Sequence, residues 1–186
     1  MARTPSTMLA LDTELHDFSL PDVVSGKLLR SRDWLGKPLV VAFICNHCPF
    51  VKHLRAQLAE FGDYCRDKGV GMLAISSNDA ANYPEDSPEN MAKEATEFGY
   101  HFPYLYDESQ AVARAFDAAC TPDFYVFDAQ GKLAYRGQFD DSRPGNGIPP
   151  TGRDLYAAVD ALLRGARPAT EQRPSIGCNI KWKTAG

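Results

Sequence analysis

The feature that most constrains the fold is an unbroken apolar stretch, Leu39 to Ile44, which ends directly at a pair of cysteines. Gly36 and Pro38 precede this stretch, and two of its residues, Val40 and Val41, are β-branched. Short apolar runs bounded in this way are typical of strands buried on both faces, which usually lie inside α/β sheets. The sequence therefore predicts an α/β fold built around this strand.

The rest of the chain alternates helical and strand patterns. We expect a helix after the cysteines, with one apolar face formed by Val51, Leu54, Leu58, Phe61 and Cys65. We also expect an N-terminal hairpin from residues 17–20 and 27–30, a strand and helix inserted between residues 70 and 118, a second hairpin from residues 122–127 and 133–137, and a last helix ending at Gly165. The prediction is a mixed sheet flanked by helices.

Length and charge narrow the class of protein. A chain of 186 residues suits one domain, which we place at residues 1–165, with a tail at 166–186 that packs on or near it. A net charge of −4 gives no basic footprint for nucleic acid. No apolar run approaches the roughly 20 residues that cross a bilayer, and residues 1–10 lack a signal-peptide pattern. We therefore expect no nucleic acid or membrane partner, and a cytoplasmic location.

The cysteine content of the chain is unusual, because there are five cysteines, an odd number, and their spacing is uneven. Cys45 and Cys48 are close together, whereas Cys65, Cys120 and Cys178 stand alone. A secreted scaffold stapled by disulfides is normally shorter and denser in cysteine. Reduced thiols with one special pair are the better interpretation.

The pair lies at a junction that favours redox chemistry. If the helix begins near Asn46, the two sulfurs are one turn apart, within the separation that a disulfide requires. Cys45 would then face the unpaired amides of the helix N-terminus, which lower a cysteine pKa from about 8.5 to roughly 3.5–7.5. His47 can add positive charge. We therefore predict Cys45 as the nucleophile and Cys48 as the resolving thiol of a thiol–disulfide exchange.

Other uses of a Cys-x-x-Cys pair fit less well. A structural zinc site needs four ligands, and no second cysteine or histidine pair accompanies this one. Haem attachment requires His after the second cysteine, where this chain has Pro49. We expect no metal and no other cofactor. A thiol-dependent peroxidase, and a metal or thiol-carrier binding protein without turnover, remain as alternative functions.

Three features together resemble the thioredoxin-like superfamily, in its redoxin branch: the strand–Cys45-x-x-Cys48–helix unit, Thr121-Pro122 at the start of a strand, and the hairpin-plus-helix ending. The resemblance covers about residues 11–165. Residues 45–53 and 174–182 look like a bacterial peroxiredoxin-like group of the AhpC/TSA type. The resemblance implies a thioredoxin-like fold, oxidoreductase activity and a cis Pro122 against the cysteines. Asn46, His47 and Thr121 are then supporting residues.

The chain also departs from its relatives. The resemblance places the buried carboxylate of thioredoxins at Leu39, so proton transfer from Cys48 falls to water, His47 or another group. Peroxiredoxins use the pattern Pro-x-x-x-Thr-x-x-Cys. Aligned on Cys48, this chain has Val41 and Cys45 at the Pro and Thr positions, which argues against efficient peroxide reduction.

The single cysteines have simpler interpretations. Cys65 lies on the apolar helix face and is expected in the core. Cys120, two residues before Pro122, is either a packing residue or an extra redox group. Cys178 could resolve a bond with Cys45 or bind a partner if the tail folds back. The expected partners are a protein or small-molecule disulfide and a thiol electron donor of thioredoxin or glutathione type.

Overall fold

A five-stranded mixed sheet forms the centre of the computed structural model, which describes residues 3–185. The strands in spatial order are β6 (Tyr104–Tyr106), β5 (Gly71–Ser76), β4 (Leu39–Phe43), β8 (Asp123–Phe127) and β9 (Leu133–Gly137). β4 lies in the middle: it runs parallel to β5, which is parallel to β6, and antiparallel to β8, which pairs antiparallel with β9. Every residue of β4 is buried, so the prediction of a central strand is confirmed.

Two smaller sheets join the chain ends to this centre. The predicted N-terminal hairpin is confirmed as β2 (Ser19–Pro21) paired with β3 (Leu28–Arg30). A three-stranded sheet consists of β1 (Arg3–Pro5), β10 (Ile176–Asn179) and β7 (Cys120–Thr121), in that order. The tail thus contributes a strand of its own, while the predicted domain boundary at residue 165 stays a prediction.

Five α-helices flank the sheet in the described part of the chain. They are α1 (Pro49–Lys52), α2 (Arg55–Asp67), α3 (Pro88–Phe98), α4 (Ala111–Ala115) and α5 (Arg153–Leu163). α3 has a favourable start, because the Ser87 hydroxyl accepts a hydrogen bond from the Asn90 amide and Pro88 fills the first turn. No helix among residues 3–185 is both long and apolar enough to cross a bilayer.

The core has two layers, one on each face of the sheet. Alternate residues of β4 point to opposite faces, so Val40 and Ala42 pack with α2, whereas Val41 and Phe43 pack with Phe116 on the other side. The single helix predicted after the cysteines is divided into two, with Val51 in α1 and Leu54 directly before α2. The predicted apolar face is buried, with Leu58, Phe61 and Cys65 at 0–1% exposure. This packing fixes the end of β4, where the cysteine pair begins.

Candidate active site

The cysteine pair lies between β4 and a helix that begins later than the sequence suggested. α1 starts at Pro49, not near Asn46, so Cys48 is its N-cap residue. The reason is Pro49: it has no N–H and fits the first position of a helix, but inside a helix starting at Asn46 it would remove a backbone hydrogen bond. The amides of this helix therefore lie beside Cys48 and not beside Cys45.

The predicted site residues do come together around Thr121. The Cys45 sulfur lies 3.5 Å from the Thr121 hydroxyl, and the Cys48 sulfur lies 3.4 Å from the Thr121 carbonyl oxygen. The Thr121–Pro122 peptide bond is cis, as the resemblance implies. The Cys178 sulfur is 2.7 Å from that of Cys48, so the tail also reaches the site.

Hydrogen bonding makes Cys48 the acidic member of the pair. A hydrogen bond from the Cys45 thiol has the largest effect and outweighs burial, lowering the pKa of Cys48 to about 5. The Cys178 thiol and the backbone amide of Val51 stabilise the same thiolate. These hydrogen bonds favour the thiolate form of Cys48 over that of Cys45.

Cys45 has the opposite environment, so the lowered pKa predicted for it is wrong. Its hydrogen bond to Cys48, its burial and the nearby charge of Asp86 together raise the pKa of Cys45 well above its ordinary value. Two features differ from the prediction: Cys45 donates a hydrogen bond to Cys48, and the helix starts at Pro49, so its amides lie beside Cys48. Cys45 is a thiol that donates to its neighbour.

Asn46 and His47 are both anchored to Asp86, a fully buried carboxylate. The backbone amide of Asn46 donates to Asp86 Oδ1 at 2.7 Å, and Nδ1 of the His47 ring donates to Asp86 Oδ2. Asn46 is also fixed through its side chain, which donates to the Glu85 carbonyl oxygen at 2.9 Å and accepts from the Tyr104 hydroxyl at 3.0 Å. These bonds hold the loop between the cysteines rigid.

The bond to Asp86 also sets the charge of His47. It raises the pKa of His47 in spite of partial burial, and the negative charge of Cys48 acts in the same direction. Burial opposes ionisation of Asp86, but hydrogen bonds from His47 and Asn78 outweigh it and lower the pKa of this carboxyl. The protonated form of His47 is thus favoured, on a ring that stacks against Tyr83.

One group of side chains has the donor types of a metal site. One ligand atom each from Cys45, His47 and Asp86 lies within 4.8 Å of the others. The Asp86 oxygens, however, already accept from the Asn46 amide at 2.7 Å and from Asn78 at 2.9 Å, besides the His47 ring. A metal ion would have to displace the His47 proton, so the arrangement fits an ion pair better.

The other two cysteines lie apart from this chemistry. Cys65 is buried in α2, and this burial raises its pKa to about 12, so the expected core position is confirmed. Cys120 lies in β7 with its sulfur 3.9 Å from the Pro122 carbonyl oxygen, and burial raises its pKa as well. Of the two interpretations of Cys120, its surroundings favour packing.

Sequence reasoning missed Asp86 and the ion pair of Arg55 with Glu94. Arg55 donates to the Asn46 carbonyl oxygen at 3.1 Å and to Glu94 at 3.1 Å, which ties α2 and α3 to the cysteine loop. Asp86 stands in an acidic stretch before a helix, where exposed carboxylates are common. Its 39-residue separation from His47 leaves no local signal for the contact.

Comparison with known proteins supports a redox family. The solved structure of an uncharacterized conserved protein from Geobacillus kaustophilus is 54% identical, with a TM-score of 0.98 and coverage of 100% of this chain and 99% of that one. The thiol-disulfide oxidoreductase ResA from Geobacillus thermodenitrificans (strain NG80-2) is 25% identical over 130 residues, 70% of either chain.

The predicted fold class and family are confirmed. A putative thioredoxin from Neisseria meningitidis has a TM-score of 0.63 at 23% identity, covering 82% of this chain and 92% of that one, which shows a thioredoxin-like fold. The model of the AhpC/TSA family matches residues 11–136, well over half of the chain. The protein therefore belongs to the AhpC/TSA family, with the redoxin form of the thioredoxin-like fold.

Proposed function

We propose that the protein is a thiol–disulfide oxidoreductase whose working groups are Cys45 and Cys48. The observation that carries this proposal is the placement of both sulfurs against Thr121 and its cis bond to Pro122, where a hydrogen bond from Cys45 lowers the pKa of Cys48 to about 5. A thiolate is the attacking species in disulfide exchange, and a neighbouring thiol is needed to release the product. The pair supplies both.

In the proposed cycle the Cys48 thiolate attacks one sulfur of a substrate disulfide. A bond forms between Cys48 and that sulfur, and the other substrate sulfur leaves as a thiolate that takes up a proton. Cys45 then loses its proton and attacks Cys48, which releases the substrate as a dithiol and leaves a Cys45–Cys48 disulfide. An external thiol donor, of thioredoxin or glutathione type, reduces this disulfide again.

This order reverses the one predicted from the sequence, and the lowered pKa of Cys48 supports the reversal. The anchored imidazolium of His47 stabilises the Cys48 thiolate, with Asp86 as the positioning residue behind it. Thr121 has the other supporting role, since its hydroxyl lies beside Cys45. Pro122 follows it directly and holds the cis peptide bond next to both sulfurs.

Access to the pair requires movement of a covering segment. Cys45 is 1% exposed and Cys48 is 0% exposed, so no substrate sulfur reaches either one in the described conformation. β10 covers this region and pairs with β7 at only two positions, Cys178 with Thr121 and Asn179 with Cys120. We infer that displacement of this short pairing opens the site.

The relatives support the reaction class and leave the substrate open. The name of the Geobacillus thermodenitrificans protein states a thiol-disulfide oxidoreductase, in line with the exchange proposed here. Disulfide substrates and a thiol donor are the partners that this chemistry requires. The cytoplasmic location stays a prediction.

Reduction of insulin disulfides with dithiothreitol as the electron donor tests the proposal. The Cys48→Ser variant should react at the uncatalysed rate, whereas Cys65→Ala, which removes a core thiol far from the exchange, should keep the wild-type rate. A Cys48→Ser variant with undiminished activity would contradict the proposal. Mixed disulfides that accumulate on Cys45 in Cys48→Ser would restore the order predicted from the sequence.

Two other outcomes would favour the alternative functions. Peroxide consumption that is lost in Cys48→Ser and kept in Cys45→Ser would identify a thiol peroxidase. Against it, Cys45 occupies the threonine position of the peroxiredoxin pattern. One equivalent of zinc in the purified protein would favour a metal-binding role.

A further inference from the structure

The tail places a third thiol against the reactive sulfur. β10 lies between β1 and β7, with Cys178 opposite Arg3 on one side and Thr121 on the other. Its side chain is 1% exposed, and its sulfur lies 2.7 Å from that of Cys48. Cys48 thus has a thiol neighbour on each side, Cys45 within the motif and Cys178 from 130 residues further along the chain.

A glycine next to this cysteine permits the close approach. A Cβ atom at Gly177 would lie 1.8 Å from the Thr121 carbonyl oxygen and 2.6 Å from its carbon, both backbone atoms that cannot turn away. A second glycine acts similarly further back, where a Cβ at Gly137 would meet the Arg173 carbonyl oxygen at 2.0 Å. The backbone of the tail therefore packs closely at two residues before Cys178, namely Arg173 and Gly177.

The proton arrangement suits a second exchange step. Burial, together with the hydrogen bond to Cys48, raises the pKa of Cys178 to about 12, so it is a thiol in the reduced protein. Cys45 likewise prefers to be protonated. When Cys178 attacks Cys48, the proton that it loses can pass to the Cys45 sulfur, which leaves as a thiolate.

We propose that Cys178 is a third redox cysteine, which attacks Cys48 in the Cys45–Cys48 disulfide and forms a Cys48–Cys178 disulfide. The Cys45–Cys48 bond breaks, Cys45 leaves as a thiolate and takes the proton lost by Cys178, and the numbers of disulfides and thiols stay the same. No external oxidant is consumed. The proposal rests on the proposed function, which supplies the first disulfide. It also makes Cys178 a second resolving thiol, besides Cys45, for a substrate bound to Cys48.

The exchange has a structural consequence. A disulfide between Cys48 and Cys178 would tie β10 covalently to the start of α1, whereas a Cys45–Cys48 disulfide leaves β10 attached by its two residue pairs with β7 and its three with β1. The position of the disulfide thus decides whether the segment that covers the site is held or can open.

Peptide mapping after oxidation tests the proposal directly. Trypsin leaves Cys45 and Cys48 together in residues 33–52, and Cys178 in residues 165–181, because the bonds before Pro38, Pro168 and Pro174 resist cleavage. A Cys45–Cys48 disulfide stays within one peptide, whereas the proposed disulfide joins two. The full-length wild type and variants are oxidised with diamide, quenched in acid and alkylated before digestion.

We expect the joined peptides in the wild type, in Cys45→Ser and in the control Cys120→Ser, and their absence in Cys178→Ser. Cys45→Ser is decisive because Cys48 and Cys178 alone must form the bond there. Absence of the joined peptides from oxidised Cys45→Ser would overturn the proposal, whereas loss of insulin reduction in Cys48→Ser would still support the proposed function.

A kinetic measurement separates a redox role from a structural one. In Cys45→Ser, an aromatic thiol placed on Cys48 by an aryl disulfide reagent should be released by Cys178. In the double variant Cys45→Ser/Cys178→Ser that adduct should persist roughly tenfold longer or more, since an adjacent thiol acts at high effective molarity. Equal lifetimes in the two variants would also overturn the proposal.

Discussion

The substitution Gly177→Ala is expected to withdraw the third cysteine from the site without removing any sulfur. The added Cβ would begin 1.8 Å from the Thr121 carbonyl oxygen, where 3.4 Å is an ordinary contact. β10 must then retreat by about 1.6 Å to reach van der Waals distance. The backbone of Gly177 needs no left-handed conformation, so this displacement is the main effect of the methyl group.

The displacement has two measurable results. It separates the sulfurs of Cys48 and Cys178 beyond their present 2.7 Å, so the yield of joined peptides after oxidation should fall sharply. Overpacking of this kind costs about 1–3 kcal/mol of unfolding free energy, which urea denaturation of the reduced protein measures. Insulin reduction should persist, because Cys45 and Cys48 are unchanged.

The matched control is Asn179→Ala, which alters an exposed side chain two residues along β10 and adds no clash. It should keep both the joined peptides and the urea midpoint close to those of the wild type. If Gly177→Ala gave the wild-type yield and stability, the close backbone approach would not be what seats Cys178, and the reasoning would be refuted.

Three further predictions concern Asp86, Asp123 and Cys120. Asp86→Asn should lower the pKa of His47 toward its ordinary 6.5, measured by an NMR titration of the ring; an unchanged value would contradict the ion pair. Burial raises the pKa of Asp123 from 3.8 to about 7, so the folded state holds a proton that the unfolded state has lost, and this contribution to stability should decline as pH rises between those values. Asp123→Asn should remove the decline in urea titrations across that range, and an identical pH profile in the variant would contradict it. Cys120→Ala should leave insulin reduction within about twofold of the wild type, as a packing residue requires.

Local patterns in the sequence were sufficient to predict the framework of the site. The apolar run from Leu39 became the central strand, and the spacing of Leu58, Phe61 and Cys65 identified the buried face of α2, because both depend on burial of neighbouring residues. The residue at which α1 starts was harder to predict from the sequence. Its prediction would have required weighing Pro49 as the first helical residue against the two cysteines as a helical pair.

Contacts between distant segments could not be predicted in this way. The approach of Cys178 to Cys48 depends on β10 pairing with β7, a strand of two residues with no pattern of its own. The burial of Asp86 beneath His47 depends on how the segment before α3 folds over the cysteine loop. Both contacts contribute to the pKa values of the cysteine pair, Cys178 by a hydrogen bond to Cys48 and Asp86 by its charge near Cys45.

The thiolate absorbance of the reduced protein, followed by ultraviolet spectroscopy as a function of pH, tests the central claim most directly. We expect a step centred near pH 5 in the wild type, in agreement with the pKa of Cys48. The step should vanish in Cys48→Ser and remain in Cys45→Ser, moved to higher pH by loss of the Cys45 hydrogen bond. A step that survives in Cys48→Ser and vanishes in Cys45→Ser would contradict the account.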